Sequence, residues 1–429
     1  MKKEITNLIK PVDYFIIGAG IMGLTIAREL KKRYPHKAVC VAEKEAEVAM
    51  HASGRNSGVL HAGFYYTSDS LKARFTREGN KAMSRYCEEN GLKINKCGKI
   101  IVANDEGELA GLEELKRRGD RNGVELIWLS AEEARKMDSN VRTHIKALYS
   151  PNTSSVDPMQ VCRRMQVENE QNGVEFLFHT IYLRHDNNRI FTNRGVYECE
   201  FVINAAGLYA DKIAHDYGFG KKYTIIPFKG IFLKYNKNKS DVVTNIYPVP
   251  NLENPFLGVH FTKTVDNSIK IGPTAIPVFW RENYSGFHRF NAREFIQIIY
   301  YQAKLFRKNA FNFRRLAFEE MKKYKKKHLI DLSFKMINQL DPKGFDGSLK
   351  PGIRAQLLNK ETLELVQDFV LEGDHQSIHI LNAVSPAFTC SIPFAEHVVN
   401  EIAKKQEANS RNRSTYQVKG YRYLTRSGR

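Results

Sequence analysis

Acidic residues are in short supply in this chain of 429 residues: 47 Asp and Glu face 66 Lys and Arg, a formal charge of +19. Such an excess attracts anionic partners, whether nucleic acid, an anionic membrane surface or small acidic molecules. Long apolar runs are missing too; no stretch of about 18 apolar residues occurs, so no membrane-spanning helix is expected. Met1-Lys2-Lys3-Glu4 is basic, but no apolar segment follows before Pro11, so no secretory leader is expected. The cysteines Cys40, Cys87, Cys97, Cys162, Cys199 and Cys390 are scattered without a C-x-x-C pair. That argues against a zinc site or a disulfide framework and fits a reducing compartment, so no metal and a cytoplasmic location are expected. A hydrophobic fraction of 42% in a chain this long remains enough for a large core, divided among roughly two or three domains.

The positive charge is unevenly spread. One block runs through Lys304, Arg307, Lys308, Arg314, Arg315, Lys322, Lys323 and Lys325–Lys327, and another occupies the tail from Arg411 to Arg429, where no acid stands. A solvated basic face, a peripheral contact with an anionic membrane and nucleic-acid binding are the three readings. Tyr416, Tyr421 and Tyr423 interleave the tail, but no nucleic-acid module accompanies them, so no nucleic acid is expected. Residues 290–327 read as helix, either packed on the core with a basic outer face or amphipathic and in contact with a membrane.

The first fifty residues carry a dinucleotide-binding pattern. Tyr14-Phe15-Ile16-Ile17 reads as a strand buried on both faces and leads into Gly18-Ala19-Gly20-Ile21-Met22-Gly23. Leu24, Ala27 and Leu30 then recur at helical spacing, Lys31, Lys32 and Arg33 close the last turn, and a second strand, Ala38–Ala42, ends at Glu43. Gly18 permits the tight turn, Gly20 lets backbone approach a pyrophosphate, and Gly23 lets helix and strand pack closely. The helix N-terminus offers free N–H groups to phosphate, and Glu43 can accept from ribose hydroxyls. The unit does not distinguish NAD from FAD.

The next loop, His51 to Tyr66, is rich in glycine and small polar residues, which let backbone lie against a flat ligand, and Arg55 can pair with phosphate. Gly54-Arg55-Asn56-Ser57-Gly58 is not a G-x-S-x-G nucleophile elbow, because its serine is one place late. This loop, followed by His61-Ala62-Gly63 and Tyr65-Tyr66, resembles that of the L-2-hydroxyglutarate dehydrogenase/oxidase family, within the D-amino-acid-oxidase-like flavoproteins. Asn204–Asp211, Tyr247–Pro250, Pro255–Thr262, Ile271–Pro273, Arg354–Gln356 and Leu381–Ala387 continue the resemblance, which spans about residues 13–400. Lys229-Gly230 stands where the pattern has arginine-glycine, and Thr274 where it has asparagine.

The resemblance implies an α/β fold with a Rossmann-like FAD-binding domain, discontinuous in sequence (1–90, 150–222 and 345–405). An α+β substrate domain built on an antiparallel sheet (91–149 and 223–344) and a basic tail (406–429) complete it. It implies non-covalent FAD held by Gly18, Gly20, Gly23, Glu43, Arg55, Asn56, Ser57, Gly58, Ala206, Gly207, Ser385 and Pro386. Attachment through Cys390 is the lesser alternative to a small buried thiol. The implied reaction is oxidation of L-2-hydroxyglutarate to 2-oxoglutarate. Such a site needs cations for two carboxylates and a base for the hydroxyl proton. His61 and His260 are the candidate bases, His61 preferred; Arg354, Lys229 and Tyr65 are the candidate substrate contacts; other histidines, His51 included, read as structural. The acceptor is open between oxygen, a membrane quinone and an electron-transfer protein. Alternatives are a related flavoenzyme acting on an amino acid or glycerol 3-phosphate, and a non-catalytic basic protein with a nucleotide fold.

Overall fold

The computed structural model describes residues 10–250, 256 and 258–424, with side chains as far as residue 410. Strand β1 (Lys10–Ile17) is buried from Tyr14 to Ile17, as an apolar run without alternation requires. It lies between β2 (Val39–Ala42) and the strand Gly195–Asn204, parallel to both, with Ile17 level with Ala42 and Asn204. Three strand carboxyl ends therefore open along one edge, and the strand order departs in both directions from β1. That is the crevice where open α/β sheets bind ligands. Val174–Leu177 extends the sheet beyond β2, and Ser377–Ile380 pairs in parallel with Gly195–Asn204. One sheet is thus assembled from three separated stretches of chain. Helix α1 (Ile21–Arg33) packs Leu24, Ile26, Ala27 and Leu30 into the core, and the cations of its last turn complement its carbonyl end.

A second, eight-stranded sheet includes Ile269–Gly272, His260–Lys263, Asn245–Pro248, Lys99–Val102 and Lys146–Ser150 as successive neighbours. An antiparallel sheet was expected here, and one pair departs from it: Asn245–Pro248 runs parallel to Lys99–Val102. These strands come from distant parts of the chain, so no hairpin dictates their sense. Tyr223–Gly230 pairs with Gly352–Asn359 along its whole length, a ladder that crosses the expected boundaries at 222/223 and 344/345. The final helix, Ala387–Leu424, continues through much of the segment expected as a basic tail. Arg426, Arg429 and the tail side chains from Arg411 on lie outside the described residues, as do Met1–Glu4, Pro255 and Leu257.

Candidate active site

A cavity of about 1380 Å³ runs from the carboxyl edge of the parallel sheet to the second sheet. Gly18, Gly20, Glu43, Arg55, Asn56, Ser57, His61, Tyr65, Ala206, Gly207, His260, Arg354, Ser385 and Pro386 all line it, whereas Gly23, Gly58 and Lys229 do not. The glycine turn is shaped for close backbone approach. Gly18 has φ +106°, and a methyl group on Gly23 would stand 2.0 Å from the Gly18 carbonyl oxygen. The Ala19 N–H donates to Glu43 Oε2 at 2.8 Å and the Glu45 N–H to Oε1 at 3.0 Å, which fixes the carboxylate at the cavity wall with lone pairs to spare. The Ile21 N–H is taken by Ser53 Oγ at 2.9 Å, and the other first-turn amides have no intrahelical acceptor. An unacidic helix start on an elongated cavity fits a dinucleotide diphosphate.

The loop residues divide their work. Asn56 Nδ2 donates to the Ala52 and Ser53 carbonyls at 3.1 and 2.7 Å while its Oδ1 accepts from the Gly58 N–H at 2.8 Å, so Asn56 shapes the loop. A methyl group on Gly58, at φ +77°, would stand 2.4 Å from the Val156 carbonyl oxygen, so Gly58 supports rather than contacts the cavity. The Arg55 guanidinium lies over the Tyr284 ring, 4.3 Å from its centre, and is in no ion pair among the described residues. Beyond Glu43, Glu45, His51 and Glu282 converge. Lys44 and Arg289 supply the positive charge there: the Lys44 ammonium is 2.7 Å from Glu282 and 2.8 Å from His51 Nε2, and Arg289 is 2.9 Å from Glu45. These ion pairs hold the Glu45 and Glu282 carboxyls below the usual carboxylate range. Cys390 does not line the cavity; its thiol faces Thr76 Oγ1 at 3.4 Å and is pushed up to about 12 by burial.

The two candidate histidines meet the cavity with different atoms. His260 Nδ1 is 3.0 Å from the Gly258 carbonyl, which can only accept, so Nδ1 carries the proton and Nε2 offers a lone pair. That Nε2 is buried without a partner among the described residues. The His260 ring stacks on Tyr247, centroids 3.6 Å apart. His61 Nδ1 instead faces the Lys99 ammonium at 3.4 Å. Accepting there places the His61 proton on Nε2, so His61 presents a donor. Burial, with Lys99 adding to it, lowers both imidazoles, His260 to about 3, so both are neutral at pH 7. Lys99 is fully buried, its ammonium 4.1 Å from the centre of the Tyr247 ring and in no ion pair among the described residues, and burial lowers it to about 7. The hydroxyls of Tyr65 and Tyr247 are buried without partners among the described residues, and burial keeps both protonated.

Arg354 and Lys72 both line the cavity, and neither forms an ion pair among the described residues. Arg354 Nε donates to Gln356 Oε1 at 3.0 Å, and its guanidinium lies 5.1 Å from the centre of the Phe256 ring. Lys72 is lowered to about 7, first by burial and then by the Arg354 charge. The neighbouring Asp368 carboxylate accepts from the Leu71 and Lys72 N–H groups at 2.9 and 3.1 Å, at the start of helix Leu71–Glu89. Lys229, expected beside the substrate, points away: Phe228 and Gly230 line the cavity, and strand alternation sends the intervening ammonium towards Tyr324, 5.8 Å from the ring centre. Thr274 Oγ1 donates to the Lys229 carbonyl at 2.8 Å and accepts from the Ile231 N–H at 3.0 Å, so the two departures from the family pattern touch each other.

Sequence reasoning passed over Lys72, Lys99 and Arg281. Lys72 had a signal: a cation two residues after the Ser70 cap sits against the positive end of a helix, where lysine is disfavoured. Lys99 precedes the apolar run Ile100–Val102, a weaker sign that its stem enters the core. Arg281 gave none. It is fully buried and grips Asp211 through two bonds of 2.7 and 2.8 Å, tying the segment after Gly207 to residues 280–290.

The family model described as DAO, FAD dependent oxidoreductase, matches residues 13–311. The L-2-hydroxyglutarate dehydrogenase of Escherichia coli (strain K12) is 33% identical over 401 residues, covering 91% of this chain and 93% of that protein. The mitochondrial L-2-hydroxyglutarate dehydrogenase of Homo sapiens is 32% identical over 431 residues, covering 92% and 89%. In fold, the chain is similar to dithionite-reduced L-α-glycerophosphate oxidase from Mycoplasma pneumoniae with FAD bound, at a TM-score of 0.73 and 21% identity, over 92% of this chain and 95% of that one.

Proposed function

From the premise that the chain belongs to the DAO family of FAD-dependent oxidoreductases, with FAD as its cofactor, we propose that it oxidises L-2-hydroxyglutarate to 2-oxoglutarate. The observation that carries this reading is the pair of cations, Arg354 and Lys72, lining the same cavity as His61 and His260 with no ion pair to either among the described residues; Asp368 lies near enough to raise Lys72, but its carboxylate is taken by the Leu71 and Lys72 N–H groups. The Arg354 charge depresses Lys72, and buried positive charge is costly until a counter-charge arrives. A dicarboxylate supplies it twice. The names of the relatives at 32–33% identity support the same substrate.

When bound, FAD supplies the two-electron acceptor for the hydride that leaves C2. Arg354 binds one carboxylate through its forked donors, and Lys72 binds the other as a point charge. His260 Nε2 takes the hydroxyl proton, its lone pair aimed by the Nδ1–H bond to Gly258. The His61 Nε2–H, held in that tautomer by Lys99, donates to the oxygen that becomes the carbonyl, with the Tyr65 hydroxyl as a further donor. The test is anaerobic: L-2-hydroxyglutarate, its D-enantiomer, D- and L-amino acids and glycerol 3-phosphate are each added to the yellow holoprotein. Bleaching of the flavin band by L-2-hydroxyglutarate is expected; faster bleaching by an amino acid or glycerol 3-phosphate would overturn the assignment.

A further inference from the structure

The helix Ala292–Lys308 mixes polar and apolar groups on its inner face and carries apolar side chains on its outer one. Its buried Glu294 pairs with Lys212 at 2.7 Å, and its buried Gln302 donates to the Val278 carbonyl at 2.8 Å, beside Ile298 and Leu305. Outward stand Phe295, Ile296, Tyr300 and Phe306, with Ile296 68% and Tyr300 60% exposed. Ring contacts widen the patch. Phe295 lies 6.4 Å from Phe279 and 5.9 Å from Phe290, and Phe306 lies 6.0 Å from Phe318 on the following helix, Phe313–Lys322. Single exposed apolar side chains need no explanation, but a connected set does.

The rim is as one-sided as the centre is apolar. Arg307, Lys308, Arg314, Arg315, Lys322 and Lys325 are exposed, whereas Glu294 and Glu320 are buried and already paired, leaving Glu319 as the exposed acid of residues 292–327. The geometry points to this face as the seat of the protein on an anionic lipid surface, aromatic and aliphatic side chains entering the interface and the cations meeting headgroups. A second copy is disfavoured as occupant because a symmetric contact would bring the two basic rims together. Nucleic acid accounts for the cations but not for Ile296 and Met321 beside them. The tail after Lys405 is not required.

Cosedimentation of the holoprotein with phosphatidylcholine vesicles, with and without phosphatidylglycerol, tests this. Binding is expected only with the anionic lipid, and it should weaken with salt. Combining Phe295→Ser, Ile296→Ser, Tyr300→Ser and Phe318→Ser should lower the affinity on the order of tenfold or more, with dye-linked turnover in solution unchanged. Should that variant fold poorly, Arg307→Gln, Arg315→Gln, Lys322→Gln and Lys325→Gln together leave the apolar patch in place and should lower the affinity by up to about a thousandfold. A chain ending at Ser410 should bind as the whole one does. The proposal is overturned if the whole protein ignores anionic vesicles, if only removal of the tail abolishes binding, or if light scattering finds a dimer that the apolar variant dissolves.

Discussion

Replacing Lys99 by Met should make the protein more stable and less active at once. Burial lowers this ammonium from its ordinary 10.5 to about 7, with no ion pair among the described residues and His61, Phe64, Tyr65, Tyr247, Cys97 and His260 close by. At about 1.36 kcal/mol per pKa unit the displacement corresponds to about 5 kcal/mol. Between pH 7 and 10.5 the unfolded chain holds a proton that the folded one lacks. Stability from this group is therefore complete above 10.5 and is lost as pH falls through 7. Methionine fills similar volume without a charge to desolvate, so the variant should exceed the parent in thermal midpoint at pH 7, and the gap should close towards pH 10. The contributions of Lys72 and Lys270, also lowered by burial, are common to both proteins and cancel. With no donor at His61 Nδ1 the imidazole loses its fixed tautomer, and kcat/KM for L-2-hydroxyglutarate should fall about 10- to 100-fold, as for other orienting partners of histidine. Thermal melts across that pH range with dye-linked kinetics read both effects. A variant less stable at pH 7 with undiminished kcat/KM would refute the reasoning, making Lys99 a packing residue.

Arg354→Met should lower kcat/KM by about 2–5 kcal/mol, on the order of a hundredfold or more, mainly through KM, while FAD content by absorbance stays constant. His260→Asn should lower kcat about 10²- to 10⁴-fold. It should also flatten the fall of the thermal midpoint as pH drops from 6.5 towards 3, because the parent holds His260 neutral where the unfolded chain protonates. Gly23→Ala forces a methyl group to within 2.0 Å of the Gly18 carbonyl, so the purified variant should be colourless or bind added FAD weakly in a fluorescence titration. Arg281→Met leaves Asp211 buried without its partner and should cost about 3–5 kcal/mol in stability, read as an early unfolding transition in urea.

The parallel sheet, the glycine turn and the acid at the end of β2 were legible because each depends on neighbours in sequence. An unalternating apolar run, three glycines at fixed spacing and a carboxylate one strand later declare themselves within fifty residues. The loop from Arg55 to Tyr65 and the segment around Ser385 were legible through resemblance, and Arg55, Asn56, Ser57, His61, Tyr65, Ser385 and Pro386 line the cavity. Lys229 shows the limit: a cation beside a glycine in a strand faces one side or the other according to a register that pairing with Gly352–Asn359 sets.

By itself, then, the sequence determined the cofactor-binding turn, the parallel strands around it and an excess of positive charge seeking anions. Only the tertiary structure decided which lysines that charge sends inward and which nitrogen each histidine shows the cavity. It also decided that the helix Ala292–Lys308 carries apolar side chains on its outer face as well as its inner one. Periodicity marks one face of a helix or strand as apolar but does not say what lies against it; that depends on residues hundreds of positions away, and so do the burial and hydrogen bonding that set a charge or a tautomer.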